Sequence, residues 1–110
     1  MVKVSVLYPN TSGATFDMAY YLNRHMPMVG QKLGDALKGM AVERGLGGGE
    51  PGTPPAYVTM AHLLFDSVDA FQRAWGPHAD AIIADIPNYT NTEPTVQISE
   101  VKLQSGVSSV

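Results

Sequence analysis

The sequence predicts an α+β domain of the ferredoxin-like βαββαβ plan. Three observations carry that reading. Four runs read as strands: three alternate apolar and polar residues with a period of two, and the third in order is largely apolar on both faces. Two longer segments carry apolar stripes at helical spacing, one after the first run and one after the third. The order of these elements is that of a split βαβ unit, in which two helices cover one face of a four-stranded antiparallel sheet.

The first run starts at the N-terminus, where Val2, Val4 and Val6 alternate with Lys3, Ser5 and Leu7. Pro9 to Gly13 then marks a turn. Phe16 to Leu33 reads as an amphipathic helix with Asp17 as its cap and Gly34 as its stop. Pro27 lacks an amide proton and restricts the residue before it, so the helix is expected to kink or restart there. The second strand is expected over Lys38 to Leu46. Gly47 to Pro55, GGGEPGTPP, follows as a long hairpin loop that is either a lid or slack. Ala56 to Phe65 is the most strand-like run, and it is apolar on both faces apart from His62 and Thr59.

Asp66 or Ser67 caps the second helix. Val68, Phe71 and Trp75 recur at helical spacing; Gly76-Pro77 interrupts; Ala79, Ile82, Ile83 and Ile86 resume the stripe, and Pro87-Asn88 ends it. The last strand spans Thr95 to Leu103, with a β-bulge expected at Ser99-Glu100 to keep Val96, Ile98, Val101 and Leu103 on one face. The domain is expected to span residues 1–104, with 105–110 a small, polar, disordered tail.

Composition narrows the function. At 110 residues the chain is one domain with a modest core. Net charge is −3 and the seven Lys and Arg are scattered, which argues against nucleic acid. No apolar run approaches the roughly 18 residues of a membrane span. MVKVSVLYP does not read as a signal peptide, so neither membrane nor secretion is expected. With no cysteine, disulfides and thiolate metal sites drop out and a reducing cytoplasm fits best. Charged residues make up only 15% of the chain, which suits a surface partly given to an interface. Both helices cover one sheet face, yet the strands carry apolar residues on both. An identical copy closing over the other face, by two-fold symmetry, is the economical cover and would enclose a barrel.

The chemistry centres on His25, which can exchange a proton near neutral pH and lies two residues before the helix-breaking Pro27. The same placement also suits a histidine bonded to a loop carbonyl at a bend. Tyr8, Tyr20, His62, His78, Asn88 and Tyr89 are the candidates to hold a substrate oxygen. Glu43 and Arg44 are weaker pocket candidates. No metal is expected, because the three histidines lack ligand spacing. No cofactor is expected either: GLGGG opens no helix, and nothing basic is placed to meet haem propionates. No Ser/His/Asp triad can be read.

Specific segments resemble the EthD family, named for a bacterial ether-degradation gene cluster, within the dimeric α+β barrel superfamily. They are VSVLYPN, FDMAYYLNRHMPMV, VERGLGGGEPGTPPAYV, HLLFDSVDAFQRAWGPHADAIIADIPNYT and EPTVQISEV, together about Val2 to Lys102. YYLNRHMP and WGPHA are the most specific, the latter with Trp75 where phenylalanine is more usual. The resemblance implies a homodimer and a small hydrophobic ligand. Superfamily relatives include lactone isomerases, polyketide cyclases, dehydratases, decarboxylases, cofactor-free monooxygenases and haem-degrading enzymes. Many use a histidine in a hydrophobic barrel cavity as acid or base, and His25 matches the family's helix histidine. The expected activity is cofactor-independent acid/base chemistry on a hydrophobic carbonyl or phenolic metabolite. The alternative is a non-catalytic binding or accessory protein for such a metabolite. A fold alone transfers no single reaction.

Overall fold

The computed structural model describes residues 1–105. Four strands, β1 (Val2–Pro9), β2 (Gly39–Arg44), β3 (Tyr57–Phe65) and β4 (Thr95–Glu100), form one antiparallel sheet in the order β2-β3-β1-β4. Helices α1 (Met18–Tyr20) and α2 (Met26–Leu33) lie between β1 and β2; α3 (Val68–Trp75) and α4 (Ala79–Ala84) lie between β3 and β4. This is the ferredoxin-like βαββαβ architecture. Of the expected tail, residues 106–110 lie outside the described residues.

The register decides which side chains share a face. Val4 pairs with Leu63 and Val2 with Phe65, and these four are buried with Tyr8 and Ala61 under Tyr21, Met26, Val29, Leu33, Phe71, Ile82 and Tyr89 of the helical layer. The opposite face carries Lys3, Ser5 and Leu7 beside Leu64, His62 and Met60. That face is therefore mixed, with a polar line through its centre, as the alternation of Lys3, Ser5 and Leu7 with the valines implied. Thr59, directly opposite Tyr8 on the helix side, buries a hydroxyl that has no partner among the described residues. Nothing in the structure explains it.

The first helix does not simply kink at Pro27. Residues Tyr21–His25 form a π-helical segment between α1 and α2, and the Met26 N–H reaches back five residues to the Tyr21 carbonyl. The cause is local: the ring of Pro27 would clash with the carbonyl four residues earlier in a regular helix. A wider turn absorbs that clash. It also keeps Tyr21, His25, Met26 and Val29 all on the buried side. Gly34 ends α2 at φ 58°, in the left-handed region that favours glycine. Ser67, not Asp66, caps the second helix, accepting from the Ala70 N–H at 3.0 Å. Gly76–His78 and Ile86–Asn88 are single 3₁₀ turns on either side of α4.

Two strand expectations need correction. The bulge expected at Ser99-Glu100 is absent: β4 pairs with β1 without a break from Thr95 opposite Leu7 to Glu100 opposite Val2. The ladder stops there because β1 has run out, so Leu103 stands 87% exposed instead of rejoining the face. The register shift occurs instead between Tyr8 and Pro9 against β3. The glycine-rich loop is closed on itself by Gly48 N–H to Thr53 O and Thr53 N–H to Glu50 O, and it is tied to the β1 turn by Asn10. None of Gly47 to Pro55 lines the cavity described below, so this loop is not its lid.

Candidate functional site

His25 ends the π-helical segment, 4% exposed. Its Nδ1 lies 2.8 Å from Asp85 Oδ2 at the end of α4. An ionised carboxylate can only accept, so Nδ1–H donates and Nε2 keeps its lone pair. Burial drives the His25 pKa below its usual value, against the opposing pull of Asp85. The ring is therefore neutral at pH 7. Burial pushes Asp85 upward, but hydrogen bonds from Asn88, Tyr20 and His25 outweigh it and hold its carboxyl below the usual carboxylate value. Those bonds are explicit: Tyr20 Oη donates to Oδ1 at 2.7 Å and Asn88 Nδ2 at 2.9 Å. Three hydrogen bonds thus hold Asp85, and it orients the imidazole in turn.

The two halves of the site are pinned to each other. Asp17 N–H donates to the Tyr89 carbonyl at 2.7 Å, Phe16 bridges Thr90, and Thr90 Oγ1 donates to the Thr15 carbonyl. The start of the first helix and the end of the second therefore move together, carrying His25 and Asp85.

His25 lines a cavity of about 630 Å³ between the sheet and the helices. Val4, Val6, Ala61 and Leu63 form its sheet side; Met26, Val29, Phe71, Trp75 and Ile82 form its helix side. Ile83 and Val96, 54% and 56% exposed, mark its mouth beside β4. No lysine or arginine is among the lining residues. The polar groups are His25, the hydroxyls of Tyr8, Tyr21, Tyr89 and Thr92, and Glu93 at the rim. Tyr8 and Tyr89 share a hydrogen bond of 2.7 Å between their hydroxyls. The His25 ring stacks on Tyr21 at 5.2 Å and tilts against Tyr89 at 4.6 Å. The expected chamber lay between two sheets; this cavity is on the other, helix-covered side, within one chain.

Of the residues singled out in the sequence, Tyr8 and Tyr89 line the cavity with His25, while Tyr20 and Asn88 bond Asp85 behind it. His62 and His78 do not join them. His78 sits half-buried in the turn before α4 and lines no part of the cavity. His62 projects from the opposite sheet face, where Ser5 Oγ meets its Nδ1 at 2.8 Å and Glu43 Oε1 meets its Nε2 at 3.2 Å. Residues on three strands thus align Ser, His and Glu, which no linear motif could show. The strand that carries Ser5 is paired in ladders on both sides. Arg44 ends β2, exposed and outside the cavity. Among the described residues no group of three His, Asp or Glu could hold a metal, and no helix is long and apolar enough to cross a membrane.

Asp85 was not singled out from the sequence, yet a signal existed. His25-Met26-Pro27 and Asp85-Ile86-Pro87 share one spacing. Each places an ionisable side chain where a proline forces a change of winding, π-helical in one case and 3₁₀ in the other.

Comparison with known proteins agrees with the fold. The EthD domain model matches residues 9–93. An EthD-like protein from Ralstonia eutropha JMP134 is 48% identical over 94% of each chain, with a TM-score of 0.89. An ethyl tert-butyl ether D (EthD) family protein from Bacillus halodurans C-125 shares the fold at 24% identity, over 92% of this chain and 98% of that one, with a TM-score of 0.69. HapK from Hahella chejuensis does so at 12% identity, over 97% and 99%, with a TM-score of 0.56. No curated protein matches. With a family match over most of its length and a near-complete structural counterpart at 48% identity, this chain belongs to the EthD family.

Proposed function

We propose that the protein is a small cofactor-independent enzyme in which His25 transfers a proton to or from a hydrophobic carbonyl or phenolic metabolite. The observation that carries this reading is the Asp85–His25 bond. It fixes a neutral imidazole whose one free nitrogen belongs to a residue lining an apolar cavity. A buried neutral imidazole, oriented by a carboxylate, is suited to general base catalysis. The apolar lining selects for greasy ligands, and its lack of cations disfavours anionic ones.

Trp75 is the only tryptophan and lines the cavity, so its fluorescence reports ligand entry. A His25→Ala variant is expected to bind hydrophobic ketones as the wild type does by that signal. It is expected to lose about 10²- to 10⁴-fold in catalysed exchange of their α-protons with D₂O. Exchange at the wild-type rate in that variant would exclude the base role and favour the second reading. In that reading, supported by the same apolar lining, the cavity only carries the metabolite.

We further propose that the protein works as a cytoplasmic homodimer closed over the helix-free sheet face. Leu7, Ala41 and Met60 supply the apolar contacts there, around the Ser5–His62–Glu43 line. Sedimentation velocity at micromolar concentration should find twice the 11.8 kDa chain mass. A single folded monomer would contradict it.

A further inference from the structure

We propose that Tyr8 and Tyr89 form a phenol relay whose terminal hydroxyl, on Tyr89, holds the oxygen of an enolisable ketone while His25 removes a proton from the adjacent carbon. This rests on the general-base reading of His25 and names the substrate class of that site.

The argument begins with a proton count. Tyr8 and Tyr89 share one hydrogen bond of 2.7 Å between their hydroxyls, and the Tyr21 ring packs edge-on against Tyr8 at 5.7 Å. Two phenolic protons serve that one bond, so one is left at an end of the pair. With Tyr8 donating, the spare donor is Tyr89, whose ring lies against His25. Burial raises both phenols above their usual range, so each keeps its proton and donates. The Tyr8 bond polarises Tyr89, so charge accepted at Tyr89 is spread back to Tyr8.

The position fits the chemistry. The His25 ring lies against both Tyr21 and Tyr89, at 5.2 and 4.6 Å between centroids. An oxygen at the Tyr89 hydroxyl therefore brings the neighbouring carbon to the base. A spare O–H donor asks for an acceptor; a carbonyl oxygen only accepts, whereas a phenol brings a further proton that needs an acceptor of its own. No lysine or arginine lines the cavity to meet the developing charge. The relay is then the stabiliser in hand. His25 Nε2 takes the α-proton, the C–H electrons form the C=C bond, and the carbonyl electrons move onto the oxygen held by Tyr89. Return of a proton from the imidazolium completes the cycle, and no oxidant or cofactor enters the balance.

The probe is 2-tetralone, a flat bicyclic ketone, with loss of its α-proton signals followed by NMR in D₂O. Wild-type protein is expected to accelerate exchange over buffer. Tyr89→Phe, which keeps the ring, should lower kcat by about 10²- to 10³-fold with little change in KM, as loss of one oxyanion donor does. Tyr8→Phe should lose less, because Tyr8 acts through Tyr89. A purely structural role would not give that order in kcat at constant KM with unchanged circular dichroism. Tyr89→Phe exchanging at the wild-type rate, while His25→Ala does not, would overturn the relay and leave the base standing. Retained exchange in His25→Ala would overturn the base itself. No wild-type acceleration, with Trp75 fluorescence showing the ketone bound, would overturn the ketone assignment.

Discussion

A histidine and an aspartate 60 positions apart make one device here. The sign of its pH dependence follows from burial. In the unfolded chain His25 takes a proton near 6.5; in the folded chain it does so only at lower pH. The base is therefore ready at neutral pH, and the acid limb of kcat/KM should fall below pH 6.5. The same shift makes folding stability fall as pH drops below 6.5, because the unfolded state binds the proton first. Asp85→Asn removes the carboxylate that opposes burial. The limb should then move to still lower pH, and loss of the anchor should cost about 10²-fold in rate. A limb that stays put, or moves upward, would show that Asp85 does not govern His25. The sequence exposed one half of this device, because histidine is rare and its titration range marks it. The other half was hidden, since an aspartate near a helix end reads as an ordinary solvated residue until the fold brings it against a base.

Helices and strands were legible to different depths. Period-two alternation located three strands, and a run apolar on both faces located β3. Where β4 ends was not legible. The ladder stops when β1 supplies no further partner, a fact about another segment of the chain. Pro27 correctly announced a disturbance in the first helix, but not its form. The clash of a proline ring can be relieved by a bend or by a wider turn, and packing chose the wider turn because it buries both Tyr21 and His25. Asp66 and Ser67 were equivalent caps on paper. Backbone geometry selected Ser67, whose φ of −158° sets its hydroxyl on the Ala70 N–H.

At the scale of the molecule, the sheet divides two kinds of polar chemistry. On the helix side, the tyrosine hydroxyls and His25 gather in an apolar cavity. On the other side, Ser5, His62 and Glu43 run across three strands. Alternation assigned His62 to its face correctly, but one chain read in order could not say which face the helices would cover. Hence the histidines at 25 and 62, both legible as candidates, end on opposite sides of the sheet. Everything proposed for the cavity depends on the state of a single imidazole. The direct measurement is a long-range ¹H–¹⁵N NMR titration of His25 in the free protein, with His25→Gln to assign the signals. The expected result is a neutral ring protonated on Nδ1 at pH 7, titrating below 6.5. A ring carrying its proton on Nε2, or one titrating above 6.5, would contradict it.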